Sequence, residues 1–158
     1  MEREIRIRHA SPKDIPAILE VQRQASEAGR WSEEDYAGFL PAEDTVFFLG
    51  EESGEQGVVA FLLGRLLSDE MEVLNLAVLP AMRRRGIGRR LLDEAVAQGR
   101  AKGVRQCWLE LRASNQGALA FYRAQGFDET RRRARYYREP VEDAIVCVRR
   151  LAASRVSP

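Results

Sequence analysis

The chain has 158 residues, 45% of them hydrophobic, which is about one domain's worth and enough to bury a core, so a disordered chain is excluded. Its 25 basic and 24 acidic residues leave a formal net charge of +1, so composition demands neither nucleic acid nor an anionic membrane as partner. A single histidine and two cysteines without metal-type spacing rule out a histidine-rich metal centre, and no metal is expected.

The opening residues, Met1 to Arg6, lack an apolar signal core, and no stretch approaches the length of a membrane span. The expected location is the cytoplasm. Ile5 and Ile7 alternate with charged residues as in a short strand. Ser11-Pro12 with Asp14 starts a helix whose apolar face holds Ile15, Ile18 and Leu19. Ser32 followed by Glu33, Glu34 and Asp35 starts another, ending near Pro41. Thr45 to Gly50 and Val58 to Leu67 are strand-like runs joined as a hairpin, and Met71 to Leu79 extends the meander.

Ile87, Leu91 and Ala95, widened by Leu92 and Val96, form the stripe of a helix stopped by Gly103. Cys107 to Leu111 reads as a strand buried on both faces. Asn115 to Ala124 reads as a helix stopped by Gly126. Phe127 to Arg132 and Ala144 to Val148 read as the last two strands, with a frayed tail from Ala152. Without repeats or linkers, this predicts one α/β domain over residues 1–151 with a mixed sheet.

Two segments carry chemistry in their order. Leu74 to Pro80 ends a strand, and Arg83-Arg84-Arg85-Gly86-Ile87-Gly88-Arg89 turns into a helix. The first amides of a helix lack internal partners and point along the positive end of its dipole. Glycines 86 and 88 let backbone approach a phosphate, and Arg84, Arg85 and Arg89 add charge. On the residues alone, an anion cradle and an ordinary solvated helix start are equally good readings. Glu110 stands inside the apolar run Cys-Trp-Leu-Glu-Leu, where a carboxylate needs a partner or a raised pKa. It is either a structural acid paired with Arg112 or another arginine, or a functional one. Asn115 and Tyr122 are seven apart, close to two helical turns, so they share a face. Cys107, three residues before Glu110, points to the opposite face of that strand. Tyr136 and Tyr137 read as lying in the loop before the last strand, and Arg131, Arg132, Arg133 and Arg135 as a solvated turn.

Arg83-x-x-Gly86-x-Gly88 after a strand ending in Val78 resembles the acetyl-CoA pyrophosphate motif of the GNAT acetyltransferase superfamily. Trp108 to Asn115, Ala118 to Tyr122, Gly126-Phe127, Arg135-Tyr136-Tyr137 and Glu142-Asp143-Ala144 resemble the bacterial ribosomal-protein-alanine N-acetyltransferases within it. Upstream only Trp31-Ser32-Glu33 is similar, with Arg30 where that group has a proline. The resemblance implies a GNAT fold: a mixed, mostly antiparallel sheet, helices on both faces, and a splay between two neighbouring parallel strands. It implies acetyl-CoA as acetyl donor, its pantetheine arm paired with backbone of Leu76, Ala77 and Val78. The pyrophosphate would sit on the amides of Arg84, Arg85, Gly86, Ile87, Gly88 and Arg89, and Asn115 would hydrogen-bond the cofactor. It further implies Glu110 as catalytic base, Tyr122 as acid, and Trp31, Tyr136 and Tyr137 as substrate-binding residues. The acceptor would be a protein N-terminus or a small amine, with no nucleic acid partner.

Overall fold

The computed structural model describes residues 3–54 and 57–152, so the tail expected to fray lies, beyond Ala152, outside the described residues. Strand β1 (Ile5–His9) passes through a single 3₁₀ turn into helix α1 (Ile15–Gln24). Asp14 at that turn accepts the Ser11 N–H at 2.8 Å and two Arg8 bonds at 2.9 and 3.0 Å. Arg8 above all holds its carboxyl down at about 2. Helix α2 (Glu33–Phe39) starts at a capping box: the Asp35 N–H donates to Ser32 Oγ at 3.1 Å, and Asp35 Oδ2 accepts the Ser32 N–H at 2.8 Å.

The remaining elements are β2 (Thr45–Glu52), β3 (Gly57–Leu67), β4 (Glu70–Val78), α3 (Ile87–Ala101), β5 (Gln106–Arg112), α4 (Gln116–Ala124), β6 (Asp128–Arg138) and β7 (Val141–Arg150). The strands form one seven-stranded sheet in the order β1-β2-β3-β4-β5-β7-β6. Every neighbouring pair is antiparallel except β4 and β5. Tyr36 of α2 packs on Phe47 and Phe61, each at 5.9 Å, which puts α1 and α2 on one face. On the other face a Cβ added to Gly50 would lie 3.1 Å from Ile87, and one added to Gly88 would meet Phe121 and Val78, so α3 and α4 stand side by side there. This is the expected α/β fold with helices on both faces.

The expected splay is present and has a local cause. Only Glu70–Gln106, Met71–Cys107 and Glu72–Trp108 pair across β4 and β5. Directly after these pairs, β4 carries a bulge: Gly64 of β3 faces Val73, Leu63 faces Asn75, and Leu74 is skipped. A bulge bends the strand that holds it. Beyond it, the β4 backbone groups on the β5 side have no strand partner.

Three expectations need correction. Strand β5 is not buried on both faces. Cys107, Leu109 and Leu111 are buried, whereas Gln106, Trp108, Glu110 and Arg112 on the alternate face are only half-buried. Strand β6 runs to Arg138, so Tyr136 and Tyr137 lie in a strand and not in the loop before the last strand. The arginine cluster is likewise strand and not turn. As a sheet edge exposed along most of its length, β6 lacks the apolar alternation by which strands are read. Two register shifts and a left-handed Arg135 (φ 53°) blur it further.

Candidate active site

A cavity of about 880 Å³ opens where β4 and β5 part. Its walls are the middle of β4, the second half of β5, the start of α4, the paired tyrosines of β6, and the loop 26–31 between α1 and α2. Glu110 and Tyr122 both line it. The first comes from the half-buried face of β5. The second comes from α4, on the opposite side of the sheet from α1 and α2.

Glu110 has the partner its burial requires, and that partner is Arg133, with Nε 3.2 Å from Oε1, rather than Arg112. Its side chain is 13% exposed against 40% for Arg133. Tyr136 lies beside the pair: the Arg133 guanidinium is 5.4 Å from its ring centre, and the Glu110 charge raises the pKa of its hydroxyl. Arg112 instead stacks 4.3 Å over the Tyr137 ring and reaches Glu142 at 3.4 Å. Burial and then Glu110 raise the Tyr137 pKa. The two tyrosine rings meet edge to face at 5.2 Å.

Tyr122 is buried between Phe121 and Phe127, at ring distances of 5.1 and 5.3 Å. Burial pushes its pKa upward, so its hydroxyl stays protonated and able to donate. Asn115 lines the same cavity, as their shared helix face requires. It is the N-cap of α4, taking the Ala118 N–H on Oδ1 at 3.1 Å, so its Nδ2 is the group it offers to the cavity. Trp31 lines the cavity too, edge to face with Phe39 at 5.4 Å.

Neither thiol lines the cavity. Cys107 is on the buried face of β5, and Cys147 pairs in register with Leu109 of the same face, opposite Glu110. Burial raises both thiols, Cys107 to about 11, so neither supplies thiolate near neutral pH.

Of the three β4 residues expected to hold a pantetheine arm, Leu76 lines the cavity, while Ala77 and Val78 lie further along the same unpaired edge. The turn that follows is outside the cavity. It is an exposed stretch, Arg83 to Gly86, with Arg84 and Gly86 both left-handed (φ 65° and 75°) and Gly86 as N-cap of α3. Arg83 is paired with Glu27 and Arg89 lies 3.8 Å from Asp93, so within this stretch Arg84 and Arg85 are the arginines without an ion pair to the described residues. A Cβ on Gly88 would stand 3.4 Å from Phe121, so this glycine also lets α3 approach α4. These residues fit a pyrophosphate: open helix amides, two uncommitted arginines and a side-chain-free approach. Among the described residues no cluster of His, Cys, Asp and Glu is arranged to hold a metal ion.

The family model for the acetyltransferase (GNAT) family matches residues 15–127. The chain belongs to the GNAT acetyltransferase family. It is 34% identical over 138 residues to the [ribosomal protein bS18]-alanine N-acetyltransferase of Salmonella typhimurium, covering 86% of this chain and 90% of that one. The crystal structure of the ribosomal-protein-S18-alanine N-acetyltransferase from Escherichia coli superposes with a TM-score of 0.82 at 31% identity, covering 98% of this chain and all of that chain. NAA60 of Arabidopsis thaliana, solved in complex with acetyl-CoA, shares the fold at a TM-score of 0.83 and 19% identity over 94% of this chain and 99% of that one.

Sequence reasoning missed four residues at this GNAT site. Arg133 sits in a run of arginines that offers no signal for one member. Buried Tyr36 and Asn75 and half-buried Gln22 form a polar group behind loop 26–31. Asn75 had a readable signal: an amide inside the apolar run Leu74 to Leu79 must find partners.

Proposed function

We propose that this GNAT acetyltransferase moves the acetyl group of acetyl-CoA onto the α-amine of a protein N-terminus, preferably one starting with alanine. The observation that carries it is the placement of Glu110 and Tyr122 in one cavity, reached from opposite sides of the sheet where β4 leaves β5. The unpaired β4 edge at Leu76, Ala77 and Val78 supplies main-chain groups for the amides of the pantetheine arm. The amides and side chains from Arg84 to Arg89 take the pyrophosphate, and Asn115 donates from Nδ2. Trp31, Tyr136 and Tyr137 hold the acceptor on the Glu110 side.

The acetyl thioester supplies the group to be transferred. An N-terminal amine has a reference pKa of about 7.7–8.0, so it must lose a proton before it attacks. Glu110 takes that proton, directly or through one water. β4 amides near Val78 face the charge that builds on the carbonyl oxygen. As the carbon–sulfur bond breaks, Tyr122 delivers a hydrogen bond and a proton to the departing sulfur. Glu110 passes that first proton to solvent; the second N–H proton, shed by the nitrogen once it is bonded to the carbonyl carbon, leaves through Glu110 or water and replaces the one Tyr122 gave up, leaving an amide and free coenzyme A. The preference for alanine rests on the names of the Salmonella and E. coli relatives and on the tyrosine pair. We assign residues 1–151 to one catalytic domain acting in the cytoplasm. Among the described residues no helix is long and apolar enough to cross a membrane.

The test is a panel of acceptors with acetyl-CoA, followed by release of free thiol. Peptides beginning with alanine exceed free amino acids and polyamines in kcat/KM. A polyamine or an aminoglycoside turned over faster than every peptide would replace the N-terminal assignment with a small-molecule one.

A further inference from the structure

Loop 26–31, one wall of the cavity, is held in place by two side-chain amides. Asn75 lies on β4 at the bulge where the splay begins. Its Oδ1 accepts the Gly29 N–H at 3.1 Å, and its Nδ2 donates to the Gly29 carbonyl at 3.0 Å. Gln22 of α1 does the same to Trp31: its Nε2 donates to the Trp31 carbonyl at 2.9 Å, and its Oε1 accepts the Trp31 N–H at 3.0 Å. The Tyr36 hydroxyl joins the two clamps, accepting from Asn75 Nδ2 at 3.0 Å and donating to Gln22 Oε1. Asn75 is 6% exposed and Tyr36 is fully buried, which pushes the phenol up to about 12 and keeps it a donor.

Each amide pairs with both the N–H and the C=O of a single residue, as a residue of a neighbouring antiparallel strand would, giving the loop two rungs of pairing without a strand. A largely buried network in which every member has partners has few alternative arrangements. Space is equally constrained, since a Cβ on Gly29 would lie 3.0 Å from the Trp31 indole nitrogen. The loop's other tie, Glu27 with Arg83, is about 40% exposed on both sides and screened by water, so it fixes the loop far less.

We propose that Asn75, acting with Tyr36 and Gln22, is a positioning residue that sets loop 26–31, and with it Trp31, against the acceptor. This rests on the assignment of that cavity wall to the acceptor. The network never reaches the reacting atoms. It fixes the wall against which the acceptor's first residues lie, so it governs acceptor binding and leaves the chemical step to Glu110 and Tyr122.

The experiment measures acceptor KM and kcat, with acetyl-CoA affinity by calorimetry, for the full chain and for Asn75→Ala and Tyr36→Phe. Both a peptide beginning with alanine and a short diamine serve as acceptors. Asn75→Ala raises acceptor KM at least tenfold, with kcat within about threefold and acetyl-CoA Kd within about twofold. Tyr36→Phe, which keeps the packed ring and loses only the link, gives the same split at about threefold, and it decides the matter if Asn75→Ala fails to fold. A fall in kcat at unchanged KM, or a parallel loss of acetyl-CoA affinity, would show that the network serves the sheet or the donor site and overturn the proposal. If the wild-type chain acetylates the diamine and no peptide, the N-terminal assignment fails by itself. The KM split is then read with the diamine, where an unchanged KM overturns the proposal and a raised one supports it.

Discussion

Glu110→Gln lowers kcat by roughly 10²–10⁴-fold while acetyl-CoA binds as before. The carboxamide keeps the shape of the side chain and cannot take a proton from the attacking amine. Everything proposed to hold the donor lies on β4, on the turn at Arg84 to Arg89 and at Asn115, so donor affinity has no reason to change. The ion pair with Arg133 does not forbid the role. Arg133 is 40% exposed and its pairing is screened, so an incoming ammonium group can displace it at little cost. Steady-state rates with a saturating peptide, alongside calorimetry with acetyl-CoA, check this. Near-wild-type kcat in a folded Glu110→Gln chain would return Glu110 to the role of a structural acid.

Tyr122→Phe lowers kcat by roughly 10²–10³-fold, with acceptor KM little altered. The ring sits between Phe121 and Phe127, and a phenylalanine keeps both contacts, so the fold is retained. What is lost is the one donor on the α4 side of the cavity that burial keeps protonated. Because the loss appears only as charge develops on sulfur, it falls on kcat and kcat/KM alike. Rates with an acetyl donor carrying a better thiol leaving group supply the readout: the deficit of Tyr122→Phe shrinks with such a donor, while that of Glu110→Gln does not.

Local signals carried most of the fold into view. Ser32 begins α2 as its acidic neighbours suggested, and Gly103, at φ 89°, follows the end of α3 as a helix stop should. The order strand, glycine turn, helix read from Leu74 to Arg89 is the order of β4, the turn at Gly86 and α3. The two-turn spacing of Asn115 and Tyr122 gave them one helix face, and both line the cavity. What could not be read depends on pairing between distant segments. Strand β6 exists because β7 pairs with it, and its own exposed arginines say little about strand. Arg133 meets Glu110 only through the register β5-β7-β6. The bulge at Leu74, which opens the site, follows from how β3 and β4 align, and neither sequence marks it. Gln22, Tyr36 and Asn75 come from α1, α2 and β4, and the network exists only once α1 and α2 lie on the sheet.

The central claim is direct transfer within a ternary complex, with both thiols as bystanders. Initial rates measured with acetyl-CoA and an alanine-starting peptide both varied test it most directly. The account predicts double-reciprocal lines that intersect, for the wild-type chain and equally for a chain in which Cys107 and Cys147 are both alanine. Parallel lines, or an acetylated enzyme trapped when the peptide is withheld, would contradict it.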